Sequence, residues 1–380
     1  MGNVNKLHIL YIITKLELGG AQKVCLSLMR GLKESGNNIK LISGTDGILT
    51  NELKDSPDII MLANFKREVS IFYIFKEIKN FIELIKKIRE LKKIYPNLII
   101  HTHSTKAGLL GRWAGLFAGV KNRIHTIHGY GFNNYQNKLT WLFTYLPELI
   151  TSVITTHFIC VSSEDVKTGI KLLPNFKNKH SIIRAAVEWE KFYPTKRIYE
   201  TKDKFIFGTI SCFKKQKNLI DLFKAFKLAY QENNNCALEV IGDGELRPEL
   251  ESWITQNNLE NQIVLHGWKH NVAEIMINWD AFVLSSLWEG LPCAIIEARL
   301  LKLPILSYKT GGISDVISQG KNGFLFEQGN WQELSMGMQK LMKNKKLCYK
   351  LKNYKEDLTD FKDSVMLQKH INLYKKFTNF

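Results

Sequence analysis

The sequence predicts an α/β protein made of two Rossmann-like domains, each a parallel sheet covered by helices. Short apolar runs alternate with longer helical patterns along the chain, as in repeated βαβ units. Several of these runs end in a loop that contains glycine, and ligands bind at such strand ends in open α/β sheets. A charged stretch without periodicity interrupts the pattern near the middle, so the 380 residues divide into two domains of ordinary size.

The composition is typical of a folded, water-exposed protein, with 45% hydrophobic and 23% charged residues. The sequence has no apolar run of about 18 residues, so it predicts no membrane-spanning helix. Six cysteines are scattered without Cys-x-x-Cys spacing and without clustered histidine. This pattern predicts neither a zinc site nor a disulfide framework, and it favours a reducing cytoplasm.

The formal charge of +17 lies mostly in the first half, because residues 1–198 carry 29 Lys and Arg against 15 Asp and Glu. A basic surface of this kind could contact nucleic acid, an anionic membrane or an acidic substrate, although solvated lysine-rich helices explain it as well. Much of this basic charge lies in residues 64–95, which are predicted to form a basic, aromatic-rich helix. Such a helix could lie on a membrane or pack on the core with a wet basic face.

The first half opens with an apolar strand at 7–14, a loop that ends in Gly19 and Gly20, and a helix at 21–33. The loop lacks Gly-x-Gly-x-x-Gly, so a nicotinamide cofactor is not predicted. The two glycines allow a ligand to approach the backbone closely, or they form a plain tight turn. The same periodicity predicts further strands and helices, at 38–43, 58–62, 98–103, 108–118, 123–127, 158–162 and 162–172.

His128 follows the predicted strand 123–127 in a His-Gly-Tyr-Gly loop. A lone histidine is more often structural than catalytic, but a strand's carboxyl end is where a catalytic one would lie. The aromatic-rich segment 132–154 comes next. It could form a lip for an acceptor or a lipid, or it could simply pack on the core.

Residues 1–190 form the first predicted domain, residues 191–203 a charged linker, and residues 204–360 the second domain. Residues 361–380 are predicted to form a C-terminal helix that returns to the first domain. The second half repeats the alternation, with predicted elements at 205–210, 219–230, 237–241, 263–265, 281–284, 293–301, 304–307 and 323–326.

Two stretches of the second half carry the strongest chemical signals. Lys214 and Lys217 lie in a loop before a predicted helix, a plausible clamp for phosphate. Residues 285–298 follow a buried strand and place Glu289 in a Glu-Gly-Leu-Pro turn. Glu297 lies eight residues later, on nearly the same helical face. Two such glutamates are often solvated surface residues, but a glutamate in a strand-to-helix loop favours a site that grips one extended polar ligand.

Taken together, these stretches resemble the retaining glycosyltransferases of family 4, which have the GT-B fold of two Rossmann-like domains facing a central cleft. The resemblance covers nearly the whole chain, and its most specific part is the pair Glu289 and Glu297, spaced as in the family's E-x7-E motif. Other stretches fall in the family's order: Gly19-Gly20, His-Ser-Thr-Lys at 103–106, His128-Gly129, Gly242-Asp243-Gly244, Gly311-Gly312 and Asn322-Gly323-Phe324.

The resemblance implies that Glu289 meets the donor sugar, that Glu297 meets the ribose hydroxyls, and that His128 lies near the reacting sugar. Glu289 and His128 are therefore the predicted catalytic residues, and Gly19 and Gly20 the predicted phosphate or acceptor loop. The predicted donor-binding residues are Lys214, Lys217, Gly267, Gly290, Leu291, Pro292, Cys293, Glu297, Gly311 and Gly312.

Two positions depart from the family pattern. Cys212 stands where the family often has arginine, so Lys214 would supply the charge without arginine's bidentate geometry. Gln22 stands where the family often has glutamate. These departures affect details of the site and leave the class unchanged.

The implied function is a retaining, metal-independent transfer from a nucleotide sugar, by family habit a UDP-sugar, to a lipid-diphosphate-linked saccharide in surface polysaccharide synthesis. The nucleotide sugar is a co-substrate, and neither a cofactor nor a metal is expected. The expected partners include an anionic membrane surface but no nucleic acid, with the protein on the inner face of the cell membrane. The alternatives are a sugar-nucleotide 2-epimerase of the same fold and a non-enzymatic basic protein that binds membrane or nucleic acid.

Overall fold

A computed structural model describes residues 6–17, 19–63, 65, 74–193 and 204–378. The chain divides into two compact units. Unit 1 comprises residues 1–186 and 360–380, and unit 2 comprises residues 187–359. The predicted linker at 191–203 falls largely outside the described residues, as does the start of the basic helix predicted from residue 64.

The described residues form strands and helices that alternate along each unit. The strands are β1 (His8–Ile12), β2 (Asn38–Gly44), β3 (Ile59–Leu62), β4 (Ile99–His103), β5 (Asn122–Ile127), β6 (His157–Cys160), β7 (His180–Ile182), β8 (Phe205–Ile210), β9 (Cys236–Ile241), β10 (Ile263–Gly267), β11 (Ala281–Leu284), β12 (Ile305–Tyr308) and β13 (Gly323–Phe326). The helices are α1 (Gly20–Glu34), α2 (Thr50–Leu53), α3 (Ile74–Ile94), α4 (Thr105–Phe117), α5 (Lys138–Ile154), α6 (Ser163–Leu172), α7 (Trp189–Phe192), α8 (Leu219–Glu232), α9 (Arg247–Gln256), α10 (Val272–Met276), α11 (Cys293–Leu300), α12 (Trp331–Lys343), α13 (Lys345–Lys352) and α14 (Asp363–Lys375).

Unit 1 is built on a parallel sheet with the strand order β3-β2-β1-β4-β5-β6-β7. Strands β1 and β4 are buried on both faces, which accounts for the nearly continuous apolar runs in the sequence. The order of the strands reverses between β1 and β4, so this is the topological switch point where such sheets bind ligands. The C-terminal helix α14 belongs to this unit and packs on α1.

Unit 2 has the parallel strand order β10-β9-β8-β11-β12-β13, with its switch point between β8 and β11. Helices α8 and α12 pack together and cover the core with buried Phe223, Phe226 and Leu334. The loops that follow β8 and β11 contain the predicted lysines and Glu289. The two parallel sheets confirm the predicted α/β class with two Rossmann-like domains.

The sequence located most elements but misplaced some boundaries. The strands predicted at 281–284 and 323–326 have the observed bounds, and Ser162 caps α6 by accepting from the Asp165 amide at 3.0 Å. The prediction that a helix begins near residue 108 is wrong, because α4 begins at Thr105 directly after Ser104. Ser104 makes this abrupt turn with a left-handed φ of 66°, which its polar sequence context does not reveal. Helix α9 had no predicted counterpart.

A buried ion pair joins α4 to α5 in unit 1. Arg112 donates to both carboxylate oxygens of Glu148, at 2.9 and 2.8 Å, and its side chain is fully buried. Arg112 also donates to the Gly108 carbonyl at 2.7 Å and to the Thr155 hydroxyl at 2.9 Å, so each of its three nitrogens has an acceptor. The pair fixes the two helices side by side, because a bidentate contact leaves little freedom to slide.

We expect Glu148→Leu to lower the free energy of unfolding by about 3–5 kcal/mol, because it leaves Arg112 buried without a counter-charge. The double variant Arg112→Met/Glu148→Leu should recover part of that loss. The exposed pair Lys87–Glu90 offers the control, since Glu90→Leu should change stability by no more than about 0.5 kcal/mol. Urea unfolding measures all three variants, and equal losses in Glu148→Leu and Glu90→Leu would contradict the structural role of the pair.

Candidate active site

The loops after β8 and β11 are tied together at the switch point of unit 2. The Leu287 amide donates to the Gln216 carbonyl at 2.9 Å, and the Gln216 side chain donates to the Trp288 carbonyl at 2.7 Å. The Ser285 hydroxyl donates to the Lys217 carbonyl at 2.8 Å. These three bonds hold the two predicted site loops in one fixed arrangement at the carboxyl edge of the sheet.

Lys217 and Glu289 form an ion pair within this arrangement. The Glu289 side chain is 8% exposed and that of Lys217 is 17% exposed, so both charges are largely removed from water. A partly buried pair is less screened than a surface pair. The structure therefore brings together the two residues that the sequence assigned to the sugar and the diphosphate.

The loop after β12 completes this edge with Gly311 and Gly312. The Gly312 amide donates to the Gly290 carbonyl at 2.6 Å. Gly311 has a φ of +50°, and a Cβ atom there would lie 2.0 Å from the Glu289 carbonyl oxygen. Glycine is therefore required at 311, since both the backbone conformation and the close approach exclude a side chain.

Helix α11 begins at this edge, with Pro292 at its N-cap and no side chain capping it among the described residues. The N-terminus of a helix favours an anion or a polar ligand, and Leu291 and Cys293 flank this one. Glu297 lies in the second turn and is 6% exposed. The predicted glutamates thus occupy the loop and the helix that the sequence assigned to them.

The remaining predicted donor residues lie further along the edge. Lys214 precedes the 3₁₀ turn Lys215–Lys217. Gly267 ends β10, two strands away from β8, and its carbonyl accepts from the Gly242 amide at 2.9 Å. Neighbouring strands lie about 4.8 Å apart, which places β10 roughly 10 Å from β8.

Sequence reasoning missed Gln216, which links the two central loops, and Gln328, whose side chain donates to the Leu287 carbonyl at 2.8 Å. It also missed Asp221, whose carboxylate accepts from the side-chain amide of Asn218 at 2.7 Å and from the Tyr308 hydroxyl at 3.0 Å. Isolated amide side chains and a single aspartate within a predicted helix carry no spacing signal, so nothing in the sequence singles these residues out.

In unit 1 the switch point lies between the loops after β1 and β4. The hydroxyls of Thr14 and Ser104 are 3.1 Å apart and bridge these loops. Gly19 is the N-cap of α1 and Gly20 its first residue. The predicted glycine loop therefore opens a helix at the ligand edge of the sheet, as a phosphate or acceptor loop would.

His128 is partly exposed and lies against a buried group of imidazoles at this edge. Its Nε2 lies 2.9 Å from Nδ1 of His103, while the other His103 nitrogen is buried without a hydrogen-bond partner in the described residues. We therefore assign the shared proton to His103 Nδ1, because an unpaired buried N–H is rarer than an unpaired acceptor. His128 then accepts at Nε2 and carries its own proton on Nδ1.

The C-terminal helix α14 contacts the same group of imidazoles through Tyr374 and His370. The Tyr374 hydroxyl lies 2.5 Å from Nδ1 of His101 and 2.8 Å from the Tyr11 hydroxyl, and the ring of His370 stacks near that of His101. Burial, reinforced by neighbouring histidines, lowers the pKa of His101 well below its ordinary value. Burial likewise lowers the pKa of His128 and of His370 to about 4, so these imidazoles are neutral at physiological pH.

Comparison with known proteins identifies the class. Residues 18–184 match the family described as Glycosyltransferase Family 4, and residues 194–358 match Glycosyl transferases group 1. The chain is 33% identical over 334 residues to the Escherichia coli UDP-Gal:alpha-D-GlcNAc-diphosphoundecaprenol alpha-1,3-galactosyltransferase, covering 85% of this chain and 84% of that protein. It is 25% identical to the capsular polysaccharide biosynthesis glycosyltransferase CapM of Staphylococcus aureus, covering 85% and 86% of the two chains.

Among solved structures, Anabaena HepE in complex with UDP and glucose superposes with a TM-score of 0.80 at 16% identity, covering 97% of this chain and 100% of that one. This similarity shows the GT-B fold. With these relatives, the chain belongs to the family 4 glycosyltransferases and is an enzyme of that class. Membership decides against the alternative of a non-enzymatic binding protein.

We expect Gly311→Ala to lower the free energy of unfolding by about 1–3 kcal/mol more than Gly320→Ala, because only the first places a methyl group against backbone. Gly320 also has a left-handed φ, of +71°, but open space around it, so it isolates the conformational cost. Thermal unfolding of the two variants measures the difference. Equal unfolding midpoints would show that the backbone at Glu289 moves away from the added methyl group without loss of stability.

The low histidine pKa values predict that unit 1 loses stability in acid. Between about pH 6.5 and 4, His128 and His370 are protonated in the unfolded chain but stay neutral in the folded protein. The contribution of these histidines to the free energy of unfolding is therefore greatest above pH 6.5. It falls as the pH drops toward 4, by about 1.4 kcal/mol per pH unit for each imidazole.

Urea titrations across this range test the pH dependence. His370→Asn keeps a donor for the Met366 carbonyl, which His370 contacts at 2.8 Å, and should give a shallower pH dependence than the wild type. His270→Asn, at an exposed position, should leave the slope unchanged. Identical slopes in all three proteins would contradict the assignment of buried neutral histidines.

Proposed function

We propose that this enzyme transfers a sugar from a UDP-sugar to a lipid-diphosphate-linked saccharide, with release of UDP, with retention of the anomeric configuration and without a metal ion. The observation that carries the proposal is the Lys217–Glu289 pair at the switch point of unit 2. Support for the substrates comes from the relative that uses UDP-Gal and a diphosphoundecaprenol acceptor, and from the UDP complex of HepE.

In this proposal unit 2 binds the donor. Glu289 meets the sugar and Glu297 the ribose hydroxyls, while Lys217 and Lys214 meet the diphosphate. Lys217 exchanges part of its contact with Glu289 for the phosphate oxygens when the donor binds. The ion pair thus keeps both side chains oriented before the donor arrives, which reduces the ordering that binding requires.

The leaving nucleoside diphosphate gains negative charge as the glycosidic bond breaks. The lysines and the amides at the start of α11 stabilise that charge, since donors fixed in advance need no reorganisation. The acceptor hydroxyl attacks the face from which the diphosphate departs, and a leaving phosphate oxygen takes its proton. Retention follows from attack on that face and needs no carboxylate nucleophile.

Unit 1 binds the acceptor in this proposal, with Gly19 and Gly20 at its phosphate or saccharide. His128 contributes a neutral N–H donor near the reacting sugar. A neutral donor suits this position, because it bonds a hydroxyl without competing with the lysines for the diphosphate. The buried histidines beneath it hold that protonation state across the physiological pH range.

We further propose that the enzyme works at the inner face of the cell membrane, held there by basic residues of α3. No helix in the described part of the chain is long and apolar enough to cross a bilayer. Lys79, Lys86 and Lys93 recur every seven residues and are exposed, so they share one face of α3. Phe75 and Ile82 are exposed beside them, at 84% and 60%, and a basic face with apolar residues favours an anionic bilayer.

We expect Glu289→Ala to lower kcat by about 100-fold or more while the fold is retained, because a contact to the reacting sugar acts mainly in the transition state. Glu260→Ala changes an exposed glutamate of the same unit and should retain wild-type activity. Transfer of labelled sugar from UDP-sugars to membrane lipid extracts measures both variants and the wild type, each with and without EDTA. Full activity of Glu289→Ala would defeat the assignment, and loss of wild-type activity in EDTA would defeat metal independence.

We expect the triple charge reversal of Lys79, Lys86 and Lys93 to glutamate to abolish salt-sensitive binding to anionic liposomes, because each lysine contributes about 1 kcal/mol at such a surface. Liposome flotation measures the binding. The control reverses the exposed Lys345, Lys346 and Lys350 of unit 2, which gives the same net charge. If both triple variants float alike, the membrane role of α3 is wrong.

A further inference from the structure

An apolar groove of about 410 Å³ lies between α4 and α5 of unit 1. Leu109, Leu110 and Trp113 form one wall, and α5 forms the other with residues that include Leu146 and Ile150. The volume falls within the range of about 300–1,000 Å³ that is usual for sites of small ligands. This groove is separate from the predicted site residues of both units.

The polar groups of the groove wall are already used. The indole N–H of Trp113 donates to the Thr151 hydroxyl at 2.9 Å, and the remaining lining side chains are aliphatic, proline or phenylalanine. A polar ligand would lose its bonds to water here and gain few in return. The wall therefore selects a hydrocarbon.

The groove is held open by the protein itself. Directly behind it, the bidentate Arg112–Glu148 pair fixes the spacing of α4 and α5. The outer residues of α5 remain exposed, with Phe143 at 77% and Ile150 at 58%. An apolar surface of this kind on a fixed frame marks a binding site rather than incomplete packing.

The groove begins at the predicted acceptor edge of the sheet. Helices that follow parallel strands start at the strands' carboxyl edge, and Leu109 lies about 6 Å along α4 from its first residue, Thr105. The loop that carries His128 lies against that first turn, because a Cβ atom on Gly131 would contact the Thr105 side chain at 3.0 Å. An acceptor with its saccharide near His128 would therefore lead its lipid portion into the groove.

The first turn of α5 adds a charge at the same end. Lys138 begins α5 and is exposed, four residues or about 6 Å from the first groove residue on that helix, Leu142. A lysine between a saccharide site and an apolar groove matches the order of a saccharide, a diphosphate and a hydrocarbon chain. Stacking of Trp141 on Tyr145, with ring centroids 4.6 Å apart, stiffens this end of the helix.

We propose that the α4–α5 groove binds the polyprenyl chain of the acceptor, at the isoprene units next to the diphosphate. The inference rests on the proposed function, because it assumes a lipid-diphosphate-linked acceptor. The groove makes the enzyme select acceptors by their lipid as well as by their saccharide. The sequence left open the role of the aromatic segment at 132–154, and the part of it that lines the groove, residues 142–151, is the lipid-binding lip.

The test fills the groove without making it polar. Leu146→Trp occupies the groove and keeps an apolar surface, and Leu146 is 41% exposed, so the fold should tolerate the change. Val153→Asn is the matched control, because Val153 is 69% exposed on the same helix but does not line the groove. Each protein is assayed with a diphospho-undecaprenyl saccharide in detergent and with the same saccharide diphosphate bearing a methyl group instead of the chain.

We expect Leu146→Trp to raise the KM for the long-chain acceptor by about tenfold or more, the effect of excluding a few methylenes from an apolar site. Its kcat/KM for the methyl acceptor should equal that of the wild type, and Val153→Asn should match the wild type on both acceptors. An unchanged long-chain KM in Leu146→Trp would overturn the groove assignment. Equal losses in Leu146→Trp and Val153→Asn would also overturn it, because they would indicate a general bilayer contact. Wild-type enzyme that glycosylates neither acceptor would contradict the proposed function itself.

Discussion

The ion pair between Lys217 and Glu289 is the contact on which the site in unit 2 depends. It joins the loop after β8 to the loop after β11, the two strands that flank the switch point of the sheet. Three further hydrogen bonds run between these loops, and Gly311 lies against the Glu289 backbone from a third. The same interaction therefore orders the loops and holds in place the two charged groups that the proposed function assigns to the diphosphate and the sugar.

At the switch point of unit 1 the central feature is a cluster of buried histidines and not an ion pair. Neutral histidines are stacked beneath the loop of His128, and the C-terminal helix closes the group through Tyr374. Their low pKa values follow from burial, so the cluster is a rigid uncharged support and not a pH switch in the physiological range. Unit 2 thus presents charged groups at its switch point, whereas unit 1 presents neutral imidazoles and an apolar groove, which in the proposed function serve the nucleotide sugar and the lipid-linked saccharide respectively.

Most of the fold was predictable from the sequence because parallel strands buried on both faces leave continuous apolar runs, as at β1 and β11. The site loops were predictable because Glu289 and Lys217 follow such runs at the ligand edge. The start of α4 was not predictable, because it follows Ser104, and a non-glycine residue with positive φ has no reliable sequence signal. The contact between His103 and His128 could not be predicted from the sequence either, because the two residues meet only when β4 lies beside β5.

Whether the switch point of unit 2 binds a nucleoside diphosphate is best tested by calorimetric titration of UDP in the presence of EDTA. We expect the wild type to bind UDP, and Lys217→Met to bind it at least about tenfold more weakly, because a charge-assisted bond to phosphate is worth about 1.5–3 kcal/mol. Lys346→Met, at an exposed position of α13, should bind UDP as the wild type does. Equal affinity of all three proteins for UDP would show that Lys217 does not bind the diphosphate.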